Sequence, residues 1–371
     1  SRAASIYAKF PSVHTFRDWR EMFDKQKNIE AVVIATPDHV HAPVAMAAMQ
    51  MGKHVYCEKP LTHSIYEARA LTKAARRFGV MTQMGNQGHS GHGVRELCEM
   101  IWSGAIGDVK EVHCWTDRPL WPQGIPDPLP EEPLPNTLDW DVWIGPAPMR
   151  PYNHEYLPFN WRGWWDFGCG ALGDMGCHIM DASFWALHLG APTAVEVVEV
   201  EGLNSQSAPK KSHLKLEFPE RAHEGKKLAA VTMHWYDGGY MPPRPEGVPE
   251  DEKLGDTIFI GEKGALTCQT YGENPRLLPA SKMADYKKPD PFLPRVEGED
   301  HRADWTRAIR DGKRSASDFS YAGPLTEAVL IGNLALRVGG RIEWDSKTMK
   351  VTNHPEADPF VKRQYRKGWT L

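Results

Sequence analysis

Between residues 31 and 85 three short strand-like runs alternate with helix-spaced stretches, and no other feature limits the fold as much. "AVVIAT" (31–36) is a continuous apolar run, as expected of a parallel strand buried on both faces. "HAPVAMAAMQMGK" reads as a helix ending at Gly52, followed by the strand "HVYCE". "SIYEARALTKAARRFG" predicts a second helix, with Ser64 as N-cap, Glu67 three residues later and a glycine stop at Gly79. "VMTQMG" supplies the third strand. Strand–helix alternation with short connections argues for an α/β, doubly wound parallel sheet.

The rest of the chain reads differently. "SRAASIYAKF" and "TFRDWREMFDK", ahead of the alternation, have helical spacing. Eleven of the 30 prolines fall between Pro119 and Pro158, among tryptophans 115, 121, 140, 143, 161, 164 and 165. A loop this long is functional or a linker, and its aromatic content argues against a disordered linker. The tryptophans either stack on apolar faces of sugar rings or pack at an interface. From residue 190 strands dominate: "AVEVVEVEG", "SHLKLEF", "LAAVTMHWYDG" and "DTIFIGEKGALTC", the last folded at "GEKG". Without helices between them, these strands predict an α+β domain with a large, mostly antiparallel sheet. "GPLTEAVLIGNLALRVGG" predicts a late helix and "RIEWD" a strand.

A chain of 371 residues exceeds one ordinary core. The expected units are 1–116, 117–355 with its Trp/Pro-rich loop 117–165, and a C-terminal tail, 356–371. With 44 Lys and Arg against 48 Asp and Glu, the formal net charge is −4. Neither nucleic acid nor an anionic membrane is then the expected partner, and no apolar stretch suggests a membrane span. Six cysteines without CxxC or regular spacing read as free thiols. The chain opens without a signal-peptide pattern or a strand, which reads as an interrupted start.

Ligands of doubly wound sheets bind beyond the carboxyl ends of the strands. That rule puts Thr36, Pro37, Asp38 and His41 at a crevice, unless Pro37 and Asp38 merely turn the chain and cap the next helix. Glu58, Lys59 and Pro60 end the second strand, and Pro60 biases Lys59 toward extended backbone. Gln83, Asn86, Gln87 and His89 follow the third. A fourth element, "GCGALGDMGCHIMDASFWAL", reads as a helix from Gly173, with Asp174, His178 and Asp181 on one face. An Asp–His pair there holds an imidazole in one tautomer. A zinc site or a satisfied buried histidine are the rival readings, but HEXXH is absent and no second histidine has helical spacing. No metal is expected. Neither "GNQGHSG" nor "GAIGDV" has the spacing of a phosphate-binding glycine loop, and no G-x-S-x-G is present.

With "ATPDHVHAP", "GKHVYCEKPL" and "GALGDMGCHIMD", the chain resembles the Gfo/Idh/MocA oxidoreductases over nearly its whole length. The E-K-P after a strand is the most specific piece, and "TQMGNQGH" is similar to a long bacterial branch. The resemblance implies an incomplete Rossmann domain at 1–116, with NAD or NADP, NAD favoured, bound by Thr36, Pro37, Asp38, His41, Glu58, Lys59, Asn86 and Gln87. It implies catalysis by Lys59, Asp174 and His178. It places a sugar, polyol or related secondary alcohol against His89, Trp161, Arg162, Trp164 and Asp181. The family's opening strand, glycine-rich turn and helix, about 30 residues or more, would precede Ser1, leaving "SVHTF" as a strand without its neighbour. Hydride transfer is the expected reaction. A redox-neutral glycosidase with tightly bound NAD, or a non-catalytic sugar-binding protein, are the alternatives. A broad sheet face implies a homo-oligomer, dimer or tetramer. The compartment, bacterial cytoplasm or periplasm, is left open.

Overall fold

The computed structural model describes residues 4–371. Its helices are α1 (Ala4–Lys9), α2 (Trp19–Lys25), α3 (Asp38–Gln50), α4 (Ile65–Phe78), α5 (His92–Trp102), α6 (Trp140–Ile144), α7 (Gly170–Ala186), α8 (His301–Asp311), α9 (Phe319–Val338) and α10 (Asp358–Val361). The strands of the first unit are β1 (Ala31–Ile34), β2 (His54–Cys57) and β3 (Thr82–Met84). They pair in parallel in the order β1–β2–β3, with Val32 opposite Val55 and Val55 opposite Thr82. The later strands are β4 (Val109–Trp115), β5 (Ala194–Glu201), β6 (Lys211–Phe218), β7 (Arg221–His223), β8 (Lys226–Leu228), β9 (Val231–Asp237), β10 (Thr257–Gly261), β11 (Gly264–Cys268), β12 (Arg276–Leu278), β13 (Arg341–Asp345) and β14 (Lys350–Val351). Nine of them form one sheet, ordered β12–β11–β10–β4–β9–β6–β5–β13–β14, and β7–β8 is a separate hairpin.

An incomplete doubly wound sheet beside a large, mostly antiparallel one is the expected fold class. One pairing departs from the antiparallel rule: β4 runs parallel to β9, with Val112 opposite Met233. Although β4 lies within residues 1–116, it is an inner strand of the large sheet, between β10 and β9. Residues of both sheets and of α3, α4, α5, α7 and α9 share one apolar core. Helix α9 packs on both α4 and α7, and α5 packs on α7. The Trp102 indole N–H, at the end of α5, donates to Ala186 O at 2.7 Å.

Local signals placed several boundaries. Glu67 Oε2 accepts from the Ser64 N–H at 2.9 Å, and Gly79 ends α4 in the left-handed conformation. The "GEKG" turn joins β10 to β11, with Gly261 paired to Gly264. Other expectations require correction. Strand β1 is not buried on both faces: Val32 and Ile34 face the core, whereas Val33 is 62% exposed because no described element covers its side. "SVHTF" is not a strand; no described strand lies beside it to complete a ladder. Helix α3 starts at Asp38, earlier than His41, and α7 at Gly170, earlier than Gly173. The first helical reading survives as α1, while Ser1–Ala3 lie outside the described residues.

The Trp/Pro-rich loop is a folded unit. Trp140, Ile144, Ala147, Tyr156, Trp161, Trp164 and Phe167 form their own apolar cluster, with Trp140 stacked on Trp143 at 4.9 Å. All six cysteines are buried and unpaired. No helix among the described residues is long and apolar enough to cross a membrane.

Candidate functional site

Three strand ends and the first turns of α7 meet at one place. Backbone bonds hold the strand ends in step: Glu58 N donates to Ile34 O at 2.9 Å and Gly85 N to Cys57 O at 2.8 Å. His41 lies across two of the loops, its Nδ1 2.8 Å from Pro60 O and its Nε2 2.8 Å from Thr36 O. With one ring nitrogen against each carbonyl, only one of which the neutral ring can donate to, and the ring buried, His41 lies between the β1 and β2 loops rather than facing the crevice. Residues that follow these strands are therefore fixed relative to one another before any ligand arrives.

Lys59 is the centre of this arrangement. The Lys59–Pro60 peptide is cis, and Lys59 Nζ donates to Asp174 O at 2.6 Å and to Asp174 Oδ1 at 2.9 Å. The Arg162 Nε–H donates to the same Oδ1 at 3.2 Å. Its guanidinium lies 4.3 Å from the Trp161 ring centroid and 4.4 Å from that of Phe159. Burial pushes the Asp174 carboxyl up, but Lys59 and Arg162 outweigh it and hold the group below its ordinary range. The carboxylate expected to orient His178 is thus taken by two cations, a correction to the Asp–His reading. The cations arrive from distant segments and bond more strongly than a neutral imidazole one helical turn away.

His178 is buried with its Nδ1 unpartnered among the described residues, and the Tyr271 ring meets it edge-on at 5.0 Å. Burial, then the Lys59 charge, lowers its pKa to about 3, so the ring is neutral throughout the physiological range. Tyr271 went unnoticed in the sequence. Its only local hint is the neighbouring Gly272, while Gly88, where a Cβ would lie 2.6 Å from Tyr271 Cβ, makes the approach possible.

Asp38 is also buried, accepting from Cys169 N at 3.1 Å. Burial, then the Asp174 charge, raises its carboxyl to about 7. A folded-state pKa above the unfolded value means that stability falls as pH rises between the two. Asp38→Asn removes that loss. Its stability relative to wild type should improve by about 2–3 kcal/mol between pH about 5 and about 7, as read by urea unfolding at the two pH values; a difference that does not change with pH contradicts the assignment.

The remaining candidates divide. Asn86 is buried, its Oδ1 accepting from Ser317 Oγ at 2.6 Å while Nδ2 has no partner among the described residues. Thr36 Oγ1 is likewise buried without a partner. Glu58 is half-buried, its carboxyl raised by burial against the pull of Arg302 and Lys59. Pro37 caps α3, and Gln87 is exposed. Gly85 lies against Glu58 so closely that a Cβ there would come within 2.2 Å of Oε2. The four others make no hydrogen bond with Lys59. Asp181 accepts from the Tyr321 hydroxyl at 2.6 Å and pairs with His89 Nδ1 at 3.0 Å, a buried structural triad. Trp164 is 1% exposed inside the aromatic cluster, and Trp161 belongs to the same cluster.

Comparison with known proteins gives a consistent result. The family described as "Oxidoreductase family, NAD-binding Rossmann fold" matches residues 1–86, and its "C-terminal alpha/beta domain" matches residues 109–217. Levoglucosan dehydrogenase from Pseudarthrobacter phenanthrenivorans is 28% identical over 180 residues, covering 48% of this chain and 38% of that protein. An uncharacterized oxidoreductase of Escherichia coli, YdgJ, is 24% identical over 81% of this chain and 72% of its own length. The matches to the next two curated relatives span 26% of each. Among solved structures, the WlbA dehydrogenase from Bordetella pertussis in complex with NADH and UDP-GlcNAcA superposes with a TM-score of 0.61 at 17% identity, over 92% of this chain and 86% of that one. Levoglucosan dehydrogenase in complex with NADH and levoglucosan gives 0.58 at 20% identity, over 92% and 87%. At these identities the superpositions show the fold.

Proposed function

The chain belongs to the Gfo/Idh/MocA oxidoreductase family, and from that premise we propose that it moves a hydride between a nicotinamide dinucleotide and a secondary alcohol of a sugar or polyol. The observation that carries the reading is Lys59, an ammonium fixed by two oxygens of Asp174 at a strand end, with the neutral, unpartnered imidazole of His178 on the same helix. Dinucleotide-bound and sugar-bound relatives of the same fold support it.

The residues present fit a nicotinamide dinucleotide. Thr36 Oγ1 and Asn86 Nδ2, buried and unpartnered, would bond it at the strand ends. Glu58 and Pro37 flank them on the same loops. The bound cofactor supplies the hydride acceptor or donor. Lys59, held in place by Asp174, donates to the substrate oxygen and favours negative charge there. His178, kept unprotonated by burial and by Lys59, accepts the hydroxyl proton. Its low basicity suffices because the hydroxyl becomes strongly acidic as its carbon loses hydride. Arg162 keeps Asp174 ionised, and so keeps Lys59 in place. A dimer or tetramer through the open face of the large sheet, which carries His213, Lys215 and Glu217, belongs to the same reading; sedimentation velocity tests it.

The test incubates the full chain with NAD or NADP and a panel of sugars and polyols, following reduced nicotinamide and free sugar together. Accumulating NADH supports the proposal. Free sugar released from a glycoside without NADH would replace it with the redox-neutral glycosidase, and failure to bind either cofactor would remove both. Gly85→Ala gives a second check. The added methyl must displace Glu58, so cofactor affinity should fall by about tenfold or more, with little change in chain stability; unchanged affinity excludes Glu58 from the cofactor site.

A further inference from the structure

We propose a second ligand site in this chain, a cavity of about 840 Å³ in which Arg337 holds the anionic group of a polyhydroxylated carboxylate or phosphate. The cavity lies between the first turn of α4, the C-terminal half of α9, the residues leading into α7 and the C-terminal segment. None of Thr36, Lys59, Asp174 or His178 lines it, so it is separate from the strand-end crevice. Its volume is that of a small-molecule pocket.

Arg337 is the reason to read it as a site. Its guanidinium lies 5.0 Å from the Trp165 ring centroid and 4.2 Å from that of Phe360. Among the described residues it has no hydrogen-bonded or ion-paired partner. The acid nearest in influence, Asp166, pairs instead with Arg150 at 3.3 Å. Burial lowers Arg337 to about 10, which still leaves it charged at neutral pH. Arg337 is half-buried on the cavity wall; a partly desolvated cation without a bonded anion is costly, and proteins pair such groups or bind something to them. Arg363, the other guanidinium of the cavity wall, shows the contrast: it donates to Glu67 Oε1 at 2.7 Å and to His39 O at 2.5 Å.

Two further groups narrow the chemistry. Asn333 is 7% exposed and spends its Nδ2–H on Cys169 O at 2.8 Å, leaving Oδ1 without a donor among the described residues. The buried His63 Nε2 is similarly unpartnered. An oxygen acceptor repels an anion but accepts from a hydroxyl, so the ligand needs both an anionic end and hydroxyl groups. Lys350 and Lys362 stand at the exposed rim, where they favour entry of an anion over a neutral sugar.

Calorimetry on the full chain with gluconate, glucose 6-phosphate and neutral glucose tests the site. At least one of the two anions should bind while glucose does not bind to this site, and which anion binds distinguishes a carboxylate from a phosphate ligand. Arg337→Met should weaken that binding by about 30-fold or more, and Arg337→Lys, which keeps the charge without the planar fork, should fall between. Lys59→Met should leave it unchanged. The proposal is overturned if neither anion binds and the cavity holds water alone, if Arg337→Met binds as wild type does, or if Lys59→Met abolishes binding. Should Arg337→Met fail to fold, wild-type affinity in a folded Arg337→Lys overturns it equally.

Discussion

Lys59→Met is expected to lower turnover of the sugar or polyol by about 10²-fold or more while cofactor binding persists. The substitution removes the charged donor and leaves Asp174 with Arg162 as its remaining cation. Part of the loss could then come from a displaced Asp174, and the kinetic pattern separates the two. A lost interaction with the reacting oxygen lowers kcat and kcat/KM together. Lys59→Arg keeps the charge beside Asp174 but changes the donor's reach and shape, so a stable Lys59→Arg with low kcat would isolate the chemical role. Near-normal turnover in Lys59→Met would take the residue out of the mechanism.

The largest stability effect should follow Glu67→Ala, a residue far from any reacting atom. Glu67 is 1% exposed and its carboxylate collects four donors: His63 N at 3.1 Å, Ser64 N at 2.9 Å, Arg363 Nε at 2.7 Å and the Tyr365 hydroxyl at 2.5 Å. Two of these begin α4, and two come from the C-terminal segment. Removing the carboxylate leaves the half-buried Arg363 guanidinium with His39 O alone and opens the helix start at once. Breaking one side of a buried pair costs about 3–5 kcal/mol, and urea unfolding of Glu67→Ala should show a loss of that order. A loss comparable to that of an exposed pair would mean that water replaces the carboxylate.

Much of the first unit was legible because its signals are local. Ser64, Glu67 and Gly79 announce a helix within a single stretch of chain, and the crevice follows from where parallel strands end. Asp174 and His178 could likewise be found by helical spacing. Their partners could not. Lys59 and Arg162 reach Asp174 from other segments, and only packing decides that the carboxylate prefers them to the imidazole. The tryptophans show the same limit. Their type announces large rigid surfaces, but whether those face a ligand or pack inside the protein depends on how the proline-rich loop closes, and Trp140, Trp161 and Trp164 are buried in one apolar cluster. Strand β4 was overlooked because "VKEVHCW" follows a glycine turn with no hairpin partner nearby.

That same strand constrains how the chain can be made. A ribosome releases β4 well before either of its neighbours, β9 and β10, has been synthesised. Until Val231–Asp237 emerges, a strand destined for the interior of the large sheet keeps both its hydrogen-bonding edges open, and one stays open until Thr257–Gly261 follows. The first unit can collapse early on contacts close in sequence, whereas closure of the large sheet must wait for distant ones. In the interval, the nascent protein exposes a template for pairing with other chains. Slow translation or a shortage of holding chaperones should therefore damage this protein through β4 before it damages the site.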